Sequence, residues 1–352
     1  MRFFYIFLFL LVSGTFVFPQ EKYFYTGKDY GSQSLYNPFY LILNGSYDVI
    51  QMEGSDRKIF GFPYRNGSRN VLKNLSSPFG PISRYGWWKF LRNEILPLEF
   101  AKNRAQWFPN YQLHLIGGGM TYTAMKEWYE YNKFPYPAVF SVATLAGFHL
   151  INEFVENGSY QGDNVDPISD IYVFDMGGIV LFSFDGVKKF FKEDLNMADW
   201  SLMPSFNFHD LSLQNSGQYF SVKWKIPRQD NWHLFYYFGM SGLGGLSYKF
   251  KDGTAVSAGA GLKAQRRYII DPKTYQMTIS TVWNAGFFYD RDNSLLASVF
   301  FSGLEENAIN VNIYPGIIKF EHFSPGLWMI MQRNGKLMFG LTTVYAPGFG
   351  FK

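Results

Sequence analysis

The 352-residue chain contains no cysteine. That excludes a disulfide scaffold, a thiolate metal site and a lipid anchor on a cysteine. It lacks a strong charge of either sign: the formal net charge is +4 and dispersed, which argues against a nucleic-acid partner. There is no Walker loop, no His-Glu-x-x-His helix and no Gly-x-Ser-x-Gly elbow. Ser241-Gly242-Leu243-Gly244-Gly245 lacks the Gly-x-Gly-x-x-Gly order of a nucleotide loop and reads as a strand bend or bulge. No low-complexity segment, heptad run or internal repeat stands out. What is abundant is aromatic side chain, 20% of residues, together with 34 glycines, while hydrophobic residues stay at 47%. Aromatic and glycine enrichment without many long apolar runs is the composition of a membrane β-barrel, whose strands alternate and whose aromatics form girdles.

The first residues have the form of an export signal, with Arg2 ahead of the apolar run Phe3–Val12 and small residues Ser13 and Gly14. Residues 1–20 are therefore read as a signal peptide and 21–104 as a mixed segment. Within it, Tyr40–Met52 is expected to hold one or two strands around Asn44-Gly45, and Arg57–Tyr64 another apolar run, giving strands within 38–64. Arg65–Ser77 is expected to be a loop. Tyr85–Phe100 reads as an amphipathic helix broken near Pro97, suited either to a membrane interface or to packing on a bundle. Asn-x-Ser sequons at Asn44, Asn66, Asn74 and Asn157 read as turn residues.

From about Ser205 the pattern is β. Met277 to Tyr289, Leu295 to Phe301 and Ile309 to Ile313 alternate large with small or polar residues, and turn clusters such as Asp252-Gly253 and Asp292-Asn293 separate the runs. Asn334-Gly335 signals a type I′ hairpin, with Met331 expected opposite Met338 and Trp328 opposite Leu341. A long final strand is expected to end on Tyr345, Phe349 and Phe351. Residues 205–352 are thus read as a barrel of about eight to twelve strands. The competing architecture is a periplasmic sandwich with one wet face. A linker is expected around Lys192–Pro204.

Residues 105–192 read as a helical bundle, and this part carries the uncommon chemistry. Helices are expected over Asn110–Tyr131, Tyr136–Asn157 and Pro167–Phe184, punctuated by Pro135, Pro137, Gly158 and Pro167. Glycines 117–119 and 177–178 suggest close backbone approach. Two up-and-down turns bring His114, Glu153, Glu156 and Asp170 level, and a second tier pairs His149 with Asp175. Acids and an imidazole held together in an apolar bundle suit proton transfer or a divalent ion. They equally suit a self-satisfied polar network that fixes helix register. His209, His233 and His322 lack partners at a defensible spacing.

His114, then Glu153-x-x-Glu156 ending an apolar helix, then Pro167-x-x-Asp170 opening a helix with Gly177 and Gly178, resembles a class of Gram-negative outer-membrane and envelope proteins without an assigned activity. Distant echoes lie in VanZ-like and YfiM-like families. The resemblance covers about 65 residues and implies location more than reaction; the long β-rich half departs from the wholly helical VanZ-like pattern.

The sequence thus leads to an α+β expectation: a membrane antiparallel β-barrel with an N-terminal three-helix insert, in the outer membrane of a Gram-negative bacterium. Its role would be structural or transport-related, and its partners membrane lipid and the outer-membrane assembly machinery. The alternative is an envelope enzyme acting on lipid or cell-wall precursors through His114, Glu153, Glu156 and Asp170, with cofactor and metal both open.

Overall fold

The computed structural model describes residues 21–97, 108–158, 160–271, 276–321, 323–344 and 347–351. The expected signal peptide, residues 98–107, His322 and Tyr345 lie outside that set. The chain is a mixed α+β protein, with helices up to residue 194 and a 13-stranded sheet after it.

After helix α1 (Gly31–Leu35), helix α2 (Pro38–Gly45) occupies the place where strands were expected. Asn37 caps α2, accepting the Tyr40 N–H at 2.9 Å, and Pro38 supplies its first turn. Two 3₁₀ turns, Asp48–Gln51 and Ile59–Gly61, replace the remaining strands. Helix α3 (Tyr64–Ser76) stands where a loop was expected, burying Gly67, Asn70, Val71, Asn74 and Leu75 at helical spacing. The amphipathic helix expected from Tyr85 is α5 (Trp87–Phe90 continued by Leu91–Ile95), preceded by a separate helix α4 (Phe79–Tyr85), with Gly86 at φ 99° between them. None of the sequons is a turn in the strict sense: Asn44, Asn66 and Asn74 are helical and Asn157 ends a helix.

The three expected bundle helices are present: α6 over residues 108–131, α7 (Pro137–Asn157) and α8 (Asp166–Leu181), followed by α9 (Asp185–Asp194). Their glycines do allow close approach. A Cβ on Gly119 would stand 2.7 Å from the Gly178 carbonyl, and one on Gly178 2.5 Å from that of Leu115. The linker expected over Lys192–Pro204 is instead the end of α9 followed by strand β1 (Ala198–Asp199).

Strand order is β1-β4-β5-β6-β7-β8-β9-β10-β11-β12-β13-β2-β3, where β2 is Ser205–Asn207, β3 Leu213–Gln214, β4 Phe220–Lys225, β5 Trp232–Phe238, β6 Ser241–Lys249, β7 Thr254–Asp271, β8 Gln276–Arg291, β9 Ser294–Ser302, β10 Ile309–Ile313, β11 Gly326–Met331, β12 Leu337–Thr342 and β13 Gly348–Phe351. The paired strands do not close into a barrel: β1 and β3 are the edges, and β13 meets β2 in parallel. Both edges belong to one irregular hairpin. Trp200 N–H donates to Tyr219, Leu202 to Gly217 and Asn207 to Ser212, so 198–207 runs beside 212–221, while Phe208 N–H reaches Gly350 on the other side.

Two expectations about the last strands are corrected. The loop at Asn334-Gly335 has three residues, Gln332 N–H donating to the Lys336 carbonyl and Gly335 sitting at φ 84°. A three-residue loop with glycine in the left-handed position shifts the register by one, so Ile330 pairs with Met338 and Trp328 with Gly340. The faces exchange accordingly. Leu337, Phe339 and Leu341 point out with Met329, and Trp328 and Ile330 point in. The final segment is not one long strand either: β12 and β13 pair antiparallel, with Pro347, which cannot donate to a ladder, at their join. The Gly242–Gly245 stretch runs straight in β6 without a bulge, and Gly245 lies against the Ala258 carbonyl.

The two faces of the sheet have inverted polarity. Exposed are Trp224 (58%), Leu234 (52%), Trp283 (55%), Phe287 (54%), Phe339 (55%) and Phe349 (57%). Buried on the opposite face are Lys223, Ser247, Ser257, Asp290, Ser298, Asn310 and Asn312. Lys223 Nζ meets both Asp290 oxygens, at 2.8 and 2.9 Å. Asn215, Asn310 and Asn312 close a ring of amide hydrogen bonds at 2.7–3.1 Å. Residues 30–57 run along this buried face, from Tyr30 on Asp292 to Arg57 on Glu306 at 3.1 Å, and Tyr40 and Tyr314 both donate to the Ser201 carbonyl at 2.8 Å. The bundle packs on this segment, Ser46 donating to the Phe148 carbonyl at 3.0 Å, and also touches the other face of the sheet. Gly117 packs on the Phe220 ring, and Tyr236 donates to Gln112 at 2.8 Å. Phe220 and Phe238 are therefore covered while Trp224 and Leu234, on the same face, are not.

Glu127 on α6 anchors the start of the described chain, accepting the N–H groups of Tyr23, Phe24 and Tyr25 at 2.6, 2.8 and 2.7 Å. Glu127→Ala leaves three buried donors unmatched and is expected to cost roughly 3 kcal/mol or more, read as a lower urea midpoint, with Glu127→Gln milder. Lys223→Met alone is expected to cost about 3–5 kcal/mol by stranding Asp290, and Lys223→Met with Asp290→Leu to recover most of it. Equal loss in the single and double variants would contradict that account.

Candidate functional site

Three helices meet at one carboxylate. His114 comes from α6, His149 from α7, and Asp170 and Asp175 from α8. The His114 Nδ1 lies 2.9 Å from Asp175 Oδ1, and the His149 Nδ1 hydrogen-bonds Asp175 Oδ2. The His114 Nε2 faces Asp170 Oδ2 at 3.5 Å. The two imidazoles are edge to face with centroids 4.8 Å apart. Asp170 is held in turn by the Ser169 hydroxyl at 3.0 Å.

Local backbone geometry makes this possible. Phe108–Gly117 and Asp170–Asp175 are π-helical. In an α-helix two residues five apart point roughly 140° away from each other. Hydrogen bonds from i to i+5 widen the turn and bring such residues onto one face. Asp170 and Asp175 are five apart, and His114 touches both. Leu91–Ile95, which carries Glu94, is π-helical as well.

Of the expected site residues, His114 and Asp170 meet directly. Glu153 is buried one helical turn after His149, near enough to Asp170, Asp166, Glu156 and Asp175 for their charges to act on it. Glu156 is half-buried at the end of α7, where its carbonyl accepts from Arg267 at 3.1 Å. The pair expected as a separate tier, His149 with Asp175, belongs to the same cluster as His114. His233 is buried on β5 with Nδ1 3.2 Å from the Asn231 carbonyl, His209 is exposed, and neither joins the cluster.

The sequence reading set Asn152 beside His149 and Glu153 but missed Asp48, Glu94 and Asn110. Asn152 donates to Asp48 at 2.9 Å and to the Gly45 carbonyl at 3.3 Å, tying α7 to the turn after α2. Glu94 accepts from Tyr85 at 3.1 Å, and Asn110 donates to the Glu94 carbonyl at 2.9 Å. Glu94 Oε2 and Asn110 Oδ1 are buried and accept no hydrogen bond among the described residues. Asn110 lies four residues before His114, a helical spacing that was available as a signal. Asp48 and Glu94 are far off in sequence, and no local pattern points to them.

Burial opposes charge on His114, but Asp170 and then Asp175 outweigh it and hold the imidazole protonated up to about 10. Burial, helped by Glu156 and opposed by His114, pushes Asp48 up to about 7. Burial and then Asp170 push Glu94 up. Chemically, the cluster is a protonated imidazole among more acids than it can neutralise. His114, His149 and Asp175 each present a ligand atom within 4.8 Å of the others, the one such group among the described residues.

No family model, curated protein or solved structure matches the chain.

Asp48 gives a pH dependence. Its unfolded form releases a proton near 3.8 and its folded form holds one to about 7, so folding loses free energy as pH rises between those values. With chelator present, the unfolding midpoint is expected to fall from pH 4 to pH 7, and the slope to be shallower in Asp48→Asn. A midpoint rising over that window in both proteins would contradict the burial argument.

Proposed function

We propose that this protein is an integral outer-membrane β-barrel of a Gram-negative envelope, its strands crossing the bilayer and its helical lobe set against the outside of the wall. One observation carries the reading: the sheet exposes tryptophan, phenylalanine and leucine and buries lysine, aspartate and asparagine. A water-soluble sandwich places those sets the other way round. In a bilayer the outward face is apolar and the lumen polar. Curling shut about the 198–221 hairpin, which already touches β13 and β5 through its two sides, completes the wall.

The rest of the surface fits. Phe79 (71%), Trp87 (54%) and Trp88 (73%) stand exposed beside Arg84, Lys89 and Arg92, the mixture that suits a lipid headgroup layer. Residues 30–57 fill the polar face as a plug. That supports a structural role, or transport gated by the plug, over an open pore. A second reading, an envelope enzyme working on lipid or cell-wall precursors, draws on the His114–His149–Asp175 cluster, which lies in the lobe beside the lipid-facing wall and leaves His114 12% exposed.

The test is partition and mobility. The mature chain is expected in the outer-membrane fraction, extractable only with detergent and running at different apparent mass before and after boiling. Leu234→Arg or Phe287→Arg is expected to destabilise it by about 2–4 kcal/mol at mid-bilayer depth, a cost absent at a water-facing site. Recovery as a monomer without detergent, or full tolerance of both arginines, would sink the reading.

A further inference from the structure

We infer that His114, His149 and Asp175 bind one first-row divalent transition ion, of the zinc, iron(II) or manganese class. The site goes beyond the membrane reading and does not depend on it.

Three separate helices each deliver one ligand atom, and the three atoms lie within 4.8 Å of one another. Two imidazole nitrogens with one carboxylate suit first-row transition ions, while magnesium and calcium prefer oxygen alone. Both histidines offer Nδ1 toward the same carboxylate. An ion bound there takes the place of the protons now shared on those edges, so binding releases protons.

The surroundings are those of a ligand shell. His114 turns its second nitrogen toward Asp170 Oδ2 at 3.5 Å, and the Ser169 hydroxyl fixes Asp170. A metal-bound histidine ordinarily gives its remaining N–H to a carboxylate in this way, which sets its tautomer and ring angle. A second, independent observation is the pair of buried oxygens with nothing to accept among the described residues, Glu94 Oε2 and Asn110 Oδ1. Buried polar atoms are satisfied in almost every case. Glu94 sits close enough to Asp170 for their charges to interact, and Asn110 precedes His114 by four residues. Waters or hydroxide carried by an ion would meet those acceptors. Three protein ligands leave at least one coordination position open, the arrangement of reactive rather than purely structural sites.

The experiment uses the full chain in detergent, stripped with EDTA and then titrated with cobalt(II) as a spectroscopic probe. Wild type is expected to develop visible ligand-field bands that saturate at one cobalt per chain and are displaced by zinc. His149→Ala and Asp175→Asn are expected to abolish them. Asp170→Asn, which removes a positioning residue, is expected to weaken binding about 10–100-fold while keeping the bands. Glu130→Gln, on the partly exposed side of α6, is the unchanged control. Circular dichroism checks that each variant is folded. Absence of a stoichiometric cobalt spectrum in wild type overturns the inference whatever the variants do, as does a folded Asp175→Asn that binds as wild type. Neither result bears on detergent dependence or boiling-induced mobility, so failure here is distinct from failure of the barrel reading.

Discussion

Asp175 is the point through which the helical half is tied together. One carboxylate receives an imidazole from α6 and another from α7 while itself belonging to α8. A buried carboxylate is costly unless hydrogen-bonded and charge-matched. The separation and rotation of three helices are therefore set by one acid, and the glycines where α6 crosses α8 are what let their backbones come near enough to reach it. Asn152, on the same helix as His149, extends that constraint to the turn after α2 and so to the segment lying along the polar face of the sheet.

The sheet is organised by the opposite rule to a soluble core. One set of its apolar side chains faces away from the protein, while its packed side combines hydrogen bonds and an ion pair with buried Trp200, Phe235, Leu243, Phe288 and Trp328. Such an interior depends on matched donors and acceptors as well as on buried rings. The asparagine ring and the Lys223–Asp290 pair carry weight that leucines carry elsewhere. Where the bundle covers part of the outward face, at Phe220 and Phe238, helix replaces whatever else would touch those rings.

Much of the helical core was legible in the sequence. Pro137, Pro167 and Gly158 bound the helices, and their lengths level the histidines with the acids. What periodicity missed was π geometry. Counting residues from the turns put Asp170 and Asp175 in two tiers, whereas the π turn lets His114 touch both. Tyr40–Met52 misled because apolar residues on either side of Asn-Gly imitate a hairpin, although Asn37-Pro38 is a sound helix start. Helix α3 was hidden because its buried face carries asparagines, which pattern matching counts as loop. In the sheet, alternation identified the strands, but a hairpin loop of three rather than two residues set Trp328 against Gly340 rather than Leu341.

The parallel contact between β13 and β2 has a kinetic meaning. Gly348 pairs with Ser205, a partner 143 positions away (348 − 205), so this junction forms only after every hairpin between them is in place. Loop-closure entropy makes such distant pairing late. It is also short, joining three residues to three, with two glycines on one side. A sheet joined last and most thinly along one line opens there first.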